Sequence, residues 1–500
     1  METKLNYKRT FFIGLAFLSI SAFWQMYDNI IPLILQNTFH LGETVTGVLM
    51  AMDNVLALFL LPVFGTLSDK VNTPLGKRTP FILCGTVLAV VFMLLLPVAD
   101  KGYISFASAI RPTVFSLLLS MADKGGNLIL FLVALFATLL SLGLYRSPAV
   151  ALMPDLTPNR LRSKANAVIN LMGAVGGVYS LIMIRLLVGE GDRPNYLPLF
   201  VSVAALMAVA VGVLLITIRE NKLRKELEEM ERAEMPAGTG SADVNETADG
   251  LMTVNGRETA DGQESAGGRT AAADTKGIRT SAKDNDENTG KSAATVLSRE
   301  VKRSMLFMLA SIFLWYAAYN AVTTAFSRYT RVVWGMEGGS FANCLMVATV
   351  AAIISYIPIG NISSRFGRKK TIIGGVLLMS ACYLAAVFVN SYHPLVNIAF
   401  ALIGVGWAAI NVNSYPMIVA MSQGGDIGKF TGTYYTFSMA AQIVTPVLSG
   451  FLLENVSYRT LFPYAVFFST LAFVTMTQVR HGDVKPQKKE SLLENFDVDD

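Results

Sequence analysis

Two long apolar runs near the start of the chain are joined by Gly65-Thr66-Leu67-Ser68-Asp69-Lys70, which leads to Gly76-Lys77-Arg78. A related stretch, Gly360-Asn361-Ile362-Ser363-Ser364-Arg365, leads to Gly367-Arg368-Lys369-Lys370 in the second part of the chain. Each stretch follows the second of six apolar runs. A shared motif at the same place in two sets of six runs predicts two structurally related halves.

The apolar runs themselves indicate a membrane protein. The chain has 500 residues, of which 53% are hydrophobic and 15% are charged, whereas soluble domains carry about 25% charged residues. Each run has the length of about 20 residues that a spanning helix needs, and none shows the alternation of barrel strands. We therefore predict an all-α membrane protein with twelve transmembrane helices in two pseudo-symmetric six-helix bundles. The predicted spans are roughly 10–36, 44–67, 80–98, 127–153, 163–188, 196–218, 303–328, 340–360, 370–390, 394–420, 427–453 and 457–477.

Between the two sets of runs, the composition changes sharply. Residues 219–302 are rich in Gly, Ser, Thr, Asp and Glu and contain the repeat Glu-Thr-Ala-Asp-Gly at 246–250 and 258–262. Such a segment cannot bury a core, which predicts a largely disordered linker. Its first residues, 219–229, could extend the sixth span as a solvated helix with i,i+4 ion pairs. The predicted domains are a first bundle at 1–218, the linker, a second bundle at 303–480 and a tail at 481–500. The linker is either a plain tether or a regulatory docking segment.

Basic residues indicate the orientation in the membrane. They are concentrated in the segments that would share a side with the N-terminus, including 77–78 and 365–370. By the positive-inside rule, both termini and the linker are predicted to be cytoplasmic, in a multi-pass protein of the cell membrane.

Several classes of function are disfavoured. The three cysteines and three histidines are scattered, so neither a disulfide framework nor a metal site is expected. Gly290-Lys291-Ser292 ends like a phosphate-binding loop, but Asn285 occupies the position of the required first glycine. The net charge of +5 is modest and does not indicate nucleic acid. We therefore expect no cofactor, no nucleic-acid partner and no enzymatic activity.

Two carboxylates lie within predicted spans, where a charge costs about 2.5–3.5 kcal/mol on insertion scales. Asp28 is flanked by Tyr27 and Asn29, with Gln25 nearby, and Asp53 precedes Asn54. A carboxylate in a low-dielectric cavity can bind and release a proton near neutral pH, which ion coupling requires. Alternatively, each is a structural carboxylate that is permanently hydrogen-bonded to its neighbouring asparagine.

Arg146 in the fourth span has two interpretations. It could donate a fork of hydrogen bonds to a substrate, or it could pair with Asp155 or Asp69 and hold a gate shut. Other polar and aromatic side chains recur at membrane depth, where they either contact a solute or join helices. The candidates among them are Asn166, Asn170, Trp315, Tyr319, Asn320, Asn411 and Gln442.

The two repeated loop motifs are candidate gates. Their glycines permit tight turns, and their charges can form pairs that break when the halves move. Simple positive-inside anchoring is the alternative, although the acidic Asp69 argues against it in the first loop. The predicted gating residues are Asp69, Lys70, Gly76, Lys77, Arg78, Asp155, Arg365, Gly367 and Arg368.

These motifs resemble a known family. The pattern Gly-x-x-x-Asp-basic followed by Gly-basic-basic resembles the major facilitator signature. The longer spacing, which runs through residues 76–82, is similar to that of plant sucrose transporters and their relatives in solute carrier family 45. Further similarities are the stretch 148–156, the stretch 162–167, and Gly428 and Gly432 leading to Gln442 and Pro446. One departure is Val150, which stands where plant sucrose transporters carry a substrate-linked arginine; the sequence looks closer to bacterial members of that branch.

The resemblance implies a transporter that works by alternating access. We expect a monomeric symporter that couples a sugar or glycoside to a proton, contacts membrane lipids and holds no metal. The alternatives are an exporter or importer of another small polar solute and, in a different class, a membrane sensor derived from a transporter.

Overall fold

The computed structural model describes residues 5–99, 127–158, 161–191, 194–234, 298–421 and 427–483. The first half contains six long helices. They are α1 (Tyr7–Asn37), α2 (Glu43–Lys70), α3 (Thr79–Ala99), α4 (Asn127–Asp155), α5 (Arg162–Leu187) and α6 (Leu197–Thr217).

The second half repeats this arrangement after a shorter helix, α7 (Glu220–Glu234). The sixth predicted span does not run on into residue 219, because Ile218 is extended and α7 starts anew at Glu220. The last six spans are α8 (Arg299–Trp334), α9 (Ala342–Phe366), α10 (Arg368–Val387), α11 (Val396–Val419), α12 (Ile427–Asn455) and α13 (Leu461–Gln478). In the described residues, twelve helices are long and apolar enough to cross a membrane, which confirms the predicted fold class.

The same helix pairings recur in the two halves. In the first half, α1 packs against α5 and α6, and α3 packs against α4 and α6; in the second, α8 packs against α12 and α13, and α10 against α11 and α13. The halves meet through α2 with α12, α5 with α9, and α1 with α8. A transmembrane interface of this kind relies on small residues, because lipid gives no hydrophobic drive for helices to associate.

The interface between α2 and α12 shows this reliance on small residues. A Cβ atom at Gly47 would overlap the backbone carbonyl of Pro446, and one at Gly450 would overlap the carbonyl of Glu43. The two backbones therefore touch directly at one end of the molecule.

We call the end of the bundle that holds the start of α1 and the end of α13 the terminal end. The end at which α2 and α12 touch lies on the other side of the membrane, and we call it the opposite end. At the opposite end, polar side chains join the two halves. Arg328 of α8 donates from Nε to the Glu43 carboxylate of α2 at 2.9 Å, and Tyr458 donates its hydroxyl to the same carboxylate. Thr44 of α2 donates its backbone N–H to the Glu454 carboxylate of α12 at 2.8 Å. We call these five residues the opposite-end latch.

Candidate functional site

A cavity of about 370 Å³ lies between the halves, near the middle of the bundle. Its walls come from α1, α4 and α5 on one side and from α8, α9, α11 and α12 on the other. The lining reaches Met153 and Asn166, which lie near the ends of their helices on the terminal side. The cavity therefore extends from mid-membrane toward the terminal end.

A second pocket of about 220 Å³ adjoins the first on the side of the opposite end. It is formed by α1, α2, α4, α8 and α12, and Pro446 lines it beneath the contact with Gly47. Trp24, Asp28 and Arg146 line both pockets. These three residues thus mark the junction of two compartments along one path.

The structure brings most of the predicted site residues together in these two pockets, although they come from six different helices. The residues that line one or both are Gln25, Asp28, Asp53, Asn54, Arg146, Asn166, Asn170, Tyr319, Asn320 and Gln442.

Four predicted site residues lie elsewhere. Tyr27 is fully buried against Phe23, with ring centroids 5.8 Å apart, and Asn29 donates its amide to the Gln25 carbonyl at 2.8 Å. Helical geometry explains this, because neighbours in sequence point about 100° away from Asp28. Trp315 and Asn411 are also buried and line neither pocket.

The two membrane carboxylates share the smaller pocket. Asp53 accepts a hydrogen bond of 2.8 Å from the Asn54 side chain, as the structural interpretation of that residue expects. Asn29 instead bonds to the backbone, so it does not hold Asp28 in the same way. The two carboxylates are close enough for their charges to interact, and Arg146 is close enough to act on Asp53. The smaller pocket therefore holds three ionisable groups whose charges act on one another.

Arg146 does not form the structural pairs that the sequence suggested. Asp155 and Asp69 both pair with Arg78 instead, with Arg78 Nε donating to Asp155 at 2.8 Å. Within the described residues, no hydrogen bond or ion pair reaches the Arg146 guanidinium. Its donors are thus available to a molecule in the cavity.

The cavity also offers flat aromatic surfaces. Tyr319 of α8 and Trp407 of α11 stack face to face, with centroids 3.8 Å apart and planes 3° apart. Trp24 and Trp407 were not among the predicted site residues. Trp24 could have been found, because it stands four residues before Asp28 and so shares its helical face. Trp407 is one of the aromatic residues that recur at membrane depth in the sequence, but its position does not place it beside Tyr319.

The first gate motif forms a compact cluster at the terminal end. Arg78 is only 7% exposed; it pairs with Asp69 and Asp155 and bonds to the Ser68 hydroxyl. Lys70 is exposed, which fits simple anchoring for that residue. The cluster joins the ends of α2 and α4 to the start of α3, all within the first half.

A residue outside the predicted set organises this motif. The Glu220 carboxylate, at the start of α7, accepts backbone N–H bonds from Lys77 at 2.7 Å and from Thr79 at 2.9 Å. It also accepts the Thr79 hydroxyl at 2.7 Å. Gly76 has φ +121° and leaves the space that the carboxylate fills. A negative group here satisfies the free N–H groups and the dipole at the start of α3.

The second half carries a counterpart. Asp483, which follows α13, accepts the backbone N–H of Lys369 at 3.0 Å, beside Gly367 with φ +95°. Arg368 donates to the Pro416 carbonyl at 3.2 Å, while Arg365 is exposed over the Phe366 ring. We call Glu220 and Asp483 the carboxylate clamps, because each ties the segment after the last helix of its half to the start of the third helix.

Comparison with known proteins places this architecture in a family. The family model described as Major Facilitator Superfamily matches residues 13–356 and 334–495, which together cover most of the chain. The chain belongs to the Major Facilitator Superfamily. It is therefore a multi-pass transporter and not an enzyme.

One curated relative has partial sequence similarity to the chain. The chloramphenicol resistance protein CraA of Acinetobacter baumannii is 26% identical over 183 residues, which are 35% of this chain and 42% of that protein. The chain thus matches less than half the length of that relative.

Solved facilitator structures share the fold at low identity. A D-xylose–proton symporter aligns with a TM-score of 0.63 at 13% identity, covering 95% of this chain and 98% of that one. The xylose transporter XylE of E. coli, in an inward-open conformation, aligns with a TM-score of 0.60 at 14% identity, covering 98% of each chain. The nucleoside transporter NupG aligns with a TM-score of 0.55 at 13% identity, covering 95% of this chain and 100% of that one.

Proposed function

We propose that this facilitator is a proton-coupled symporter for a sugar or glycoside in the cytoplasmic membrane. One observation carries the proposal: Asp28 and Asp53 meet amide groups and aromatic faces in a cavity between the two halves. Such a site can bind a hydroxylated solute and a proton at adjacent positions. Transport then requires both halves to move about the occupied site.

The sugar part of the proposal rests on the cavity wall. Gln25, Asn166 and Asn170 supply amide groups that can bond to hydroxyls. The stacked Tyr319 and Trp407 supply a flat surface for the C–H face of a sugar ring. The resemblance to the sucrose transporter branch supports this choice, and Val150, at the position of that branch's substrate-linked arginine, lines the same cavity.

The proton part rests on the two carboxylates. A proton that binds Asp28 or Asp53 removes a negative charge from the low-dielectric pocket, which lowers the cost of closing the site off from water while the halves move about it. Neither residue has an ion pair within the described part of the chain. Both can therefore change their protonation without breaking a salt bridge.

The state of the molecule supports alternating access. The cavity extends toward the terminal end, while the latch and the contact of Gly47 with Pro446 close the opposite end. With both termini in the cytoplasm, as the basic residues indicate, this is an inward-facing state. The latch would separate when the protein opens outward.

Uptake by proteoliposomes tests the proposal. The purified protein should accumulate at least one member of a sugar and glycoside panel when a proton gradient is imposed, and it should lose accumulation when the gradient is dissipated. Asp28→Asn should still exchange the solute across the membrane but should no longer accumulate it. Accumulation that survives in Asp28→Asn would remove the coupling role of Asp28, and an absence of uptake for the whole panel would remove the sugar assignment.

A second candidate function is export of another small polar solute. The partial similarity to the chloramphenicol resistance protein CraA favours it. In the same vesicles, proton-driven export of chloramphenicol without uptake of any sugar would select this alternative.

A further inference from the structure

We propose that Arg146 binds an anionic group of the transported solute, so that the substrate is an acidic sugar or glycoside with a carboxylate. This inference rests on the proposed function and specifies its substrate. It begins from the contrast between Arg146 and the other buried arginines.

The two deeply buried arginines of the described chain are neutralised by carboxylates. Arg78 pairs with Asp69 and Asp155, and Arg328 pairs with Glu43. Arg146 is half-buried at the junction of the two pockets and has neither an ion pair nor a hydrogen bond with a described residue. Its planar fork of donors matches a carboxylate in a bidentate arrangement.

The charge balance of the pockets permits an anion to enter together with a proton. The charged side chains that line them are Asp28, Asp53 and Arg146. The three groups sum to −1 when both carboxylates are ionised and to zero when one is protonated. In the second case a further proton would leave Arg146 without a counter-charge, and a solute carboxylate that enters with this proton restores neutrality.

A neutral solute can also enter with one proton, but it gives the Arg146 guanidinium no anionic partner. A cationic solute would be repelled by the guanidinium. Arg146 therefore favours a solute that brings its own carboxylate.

The remaining walls define the rest of the solute. The Tyr319–Trp407 stack lines the larger pocket together with Arg146 and suits a saturated ring. The cavity of about 370 Å³ is near the small end of the range for ligand sites. A sugar acid, or a small glycoside of a sugar acid, has the carboxylate, the saturated ring and the size that this cavity suits.

The test compares matched pairs of sugars that differ only in a carboxylate. In proteoliposomes with a fixed proton gradient, glucuronate and galacturonate should show a KM about tenfold or more below those of glucose and galactose, as expected for one charge-assisted contact. An inside-negative potential imposed with potassium and valinomycin should leave uronate uptake unchanged. Purified wild-type protein should be stabilised against heat by glucuronate more than by glucose, which gives a readout that needs no variant.

Variants of Arg146 test whether this residue causes the preference for uronates. Arg146→Gln should abolish the preference for the uronate, and Arg146→Lys should retain part of it. Arg185→Gln is the matched control, since Arg185 is an exposed arginine of a spanning helix that lines neither pocket.

The outcomes separate this inference from the proposed function. Proton-driven uptake of glucose or galactose with equal or better KM than the uronates overturns the role of Arg146 and leaves sugar symport standing. The same holds if the preference survives in Arg146→Gln, or if an inside-negative potential accelerates uronate uptake. Uptake of no sugar of either kind overturns both.

Discussion

At the scale of single residues, environment separates side chains that look alike in the sequence. Arg78 and Arg146 belong to the same half, yet one is locked between two carboxylates and the other faces the cavity. Asp28 faces both pockets, whereas Tyr27 and Asn29 beside it are buried in the bundle. A candidate list built from sequence neighbours therefore includes residues on the wrong side of a helix.

Gly76 gives a direct residue-scale prediction. Its φ of +121° is unfavourable for an L side chain, and a Cβ atom would overlap the Glu220 carboxylate. Gly76→Ala should therefore destabilise the first half by about 1–3 kcal/mol and slow transport. Thermal unfolding of the purified protein in detergent measures the first effect, and vesicle uptake measures the second.

Gly212→Ala is the control for that substitution. Gly212 lies in α6, and no atom is within 4 Å of the site of its Cβ. Alanine should be neutral or slightly stabilising there, since it favours the helix by about 1 kcal/mol. Equal melting temperatures for the two variants would contradict the interpretation of Gly76.

At the scale of elements, the carboxylate clamps connect helices that are distant in sequence. Glu220, at the start of α7, accepts backbone N–H bonds from the start of α3. Asp483, in the segment after α13, accepts a backbone N–H bond from the start of α10. Loss of either clamp would free the loop that carries a gate motif. The clamps thus couple the sixth helix of each half to its third.

Glu220→Gln tests the first clamp. The amide keeps an acceptor but loses the charge that several N–H groups share, so the variant should lose about 1–3 kcal/mol of stability. Glu228→Gln in the same helix is the control. Glu228 is exposed, and among the described residues its ion pair is with Arg224, an i,i+4 pair worth at most about 0.5 kcal/mol. If both variants melt at the same temperature, Glu220 does not stabilise α3.

Asp483→Asn tests the second clamp and should have a smaller effect than Glu220→Gln. The reason is that Asp483 accepts one backbone N–H among the described contacts, whereas Glu220 accepts three and a hydroxyl. Melting curves for the two variants under one set of conditions give the order. The reverse order would show that the number of bonds does not set the strength of the clamps.

The elements were partly predictable from the sequence. Apolar length was sufficient for the spans, and the repeated Gly-basic-basic motif placed the two loops. The clamps were not predictable, since Glu220 and Asp483 lie in polar segments where acidic residues are common, and their partners are backbone groups. Nothing in the local pattern distinguishes a carboxylate that caps a distant helix from a solvated one.

At the scale of the whole molecule, the latch closes one end while the cavity reaches toward the other. Glu43 and Arg328 are 4% and 5% exposed, so their separation must be compensated by water or new partners. Removing one partner of a buried pair costs about 3–5 kcal/mol. The state described here is therefore one that the latch stabilises.

A covalent bridge across the latch should stop transport. Thr44 and Glu454 are in contact across the halves through the Glu454 carboxylate, so the double variant Thr44→Cys, Glu454→Cys should be joined by a short bifunctional methanethiosulfonate reagent, which spans the gap and is released by reduction. Uptake should fall on cross-linking and recover on reduction, because the opposite end could no longer open. Each single variant serves as a control, and unchanged uptake by the cross-linked protein would contradict alternating access through this end.

The two-half architecture was predictable from the sequence, but the conformational state, that is, which end of the molecule is closed, was not. Repeated motifs indicate that the halves are alike, and they carry no information on which end is closed. That depends on contacts such as Glu43 with Arg328, which join residues from different halves and have no shared pattern. The two pockets of the cavity could not be predicted either, since they depend on how eight helices cross.

Pro446 gives α12 a built-in pivot. Proline has no backbone N–H, so the carbonyl one turn earlier, at Gln442, loses its usual partner within the helix, and both residues face the smaller pocket. On one side of this weak point α12 carries Tyr435 of the cavity wall, and on the other it carries Glu454. Bending at this position would move the last third of α12 away from α2 while Tyr435 stays in the cavity wall. The opposite end could then open to solvent without a change in the binding cavity.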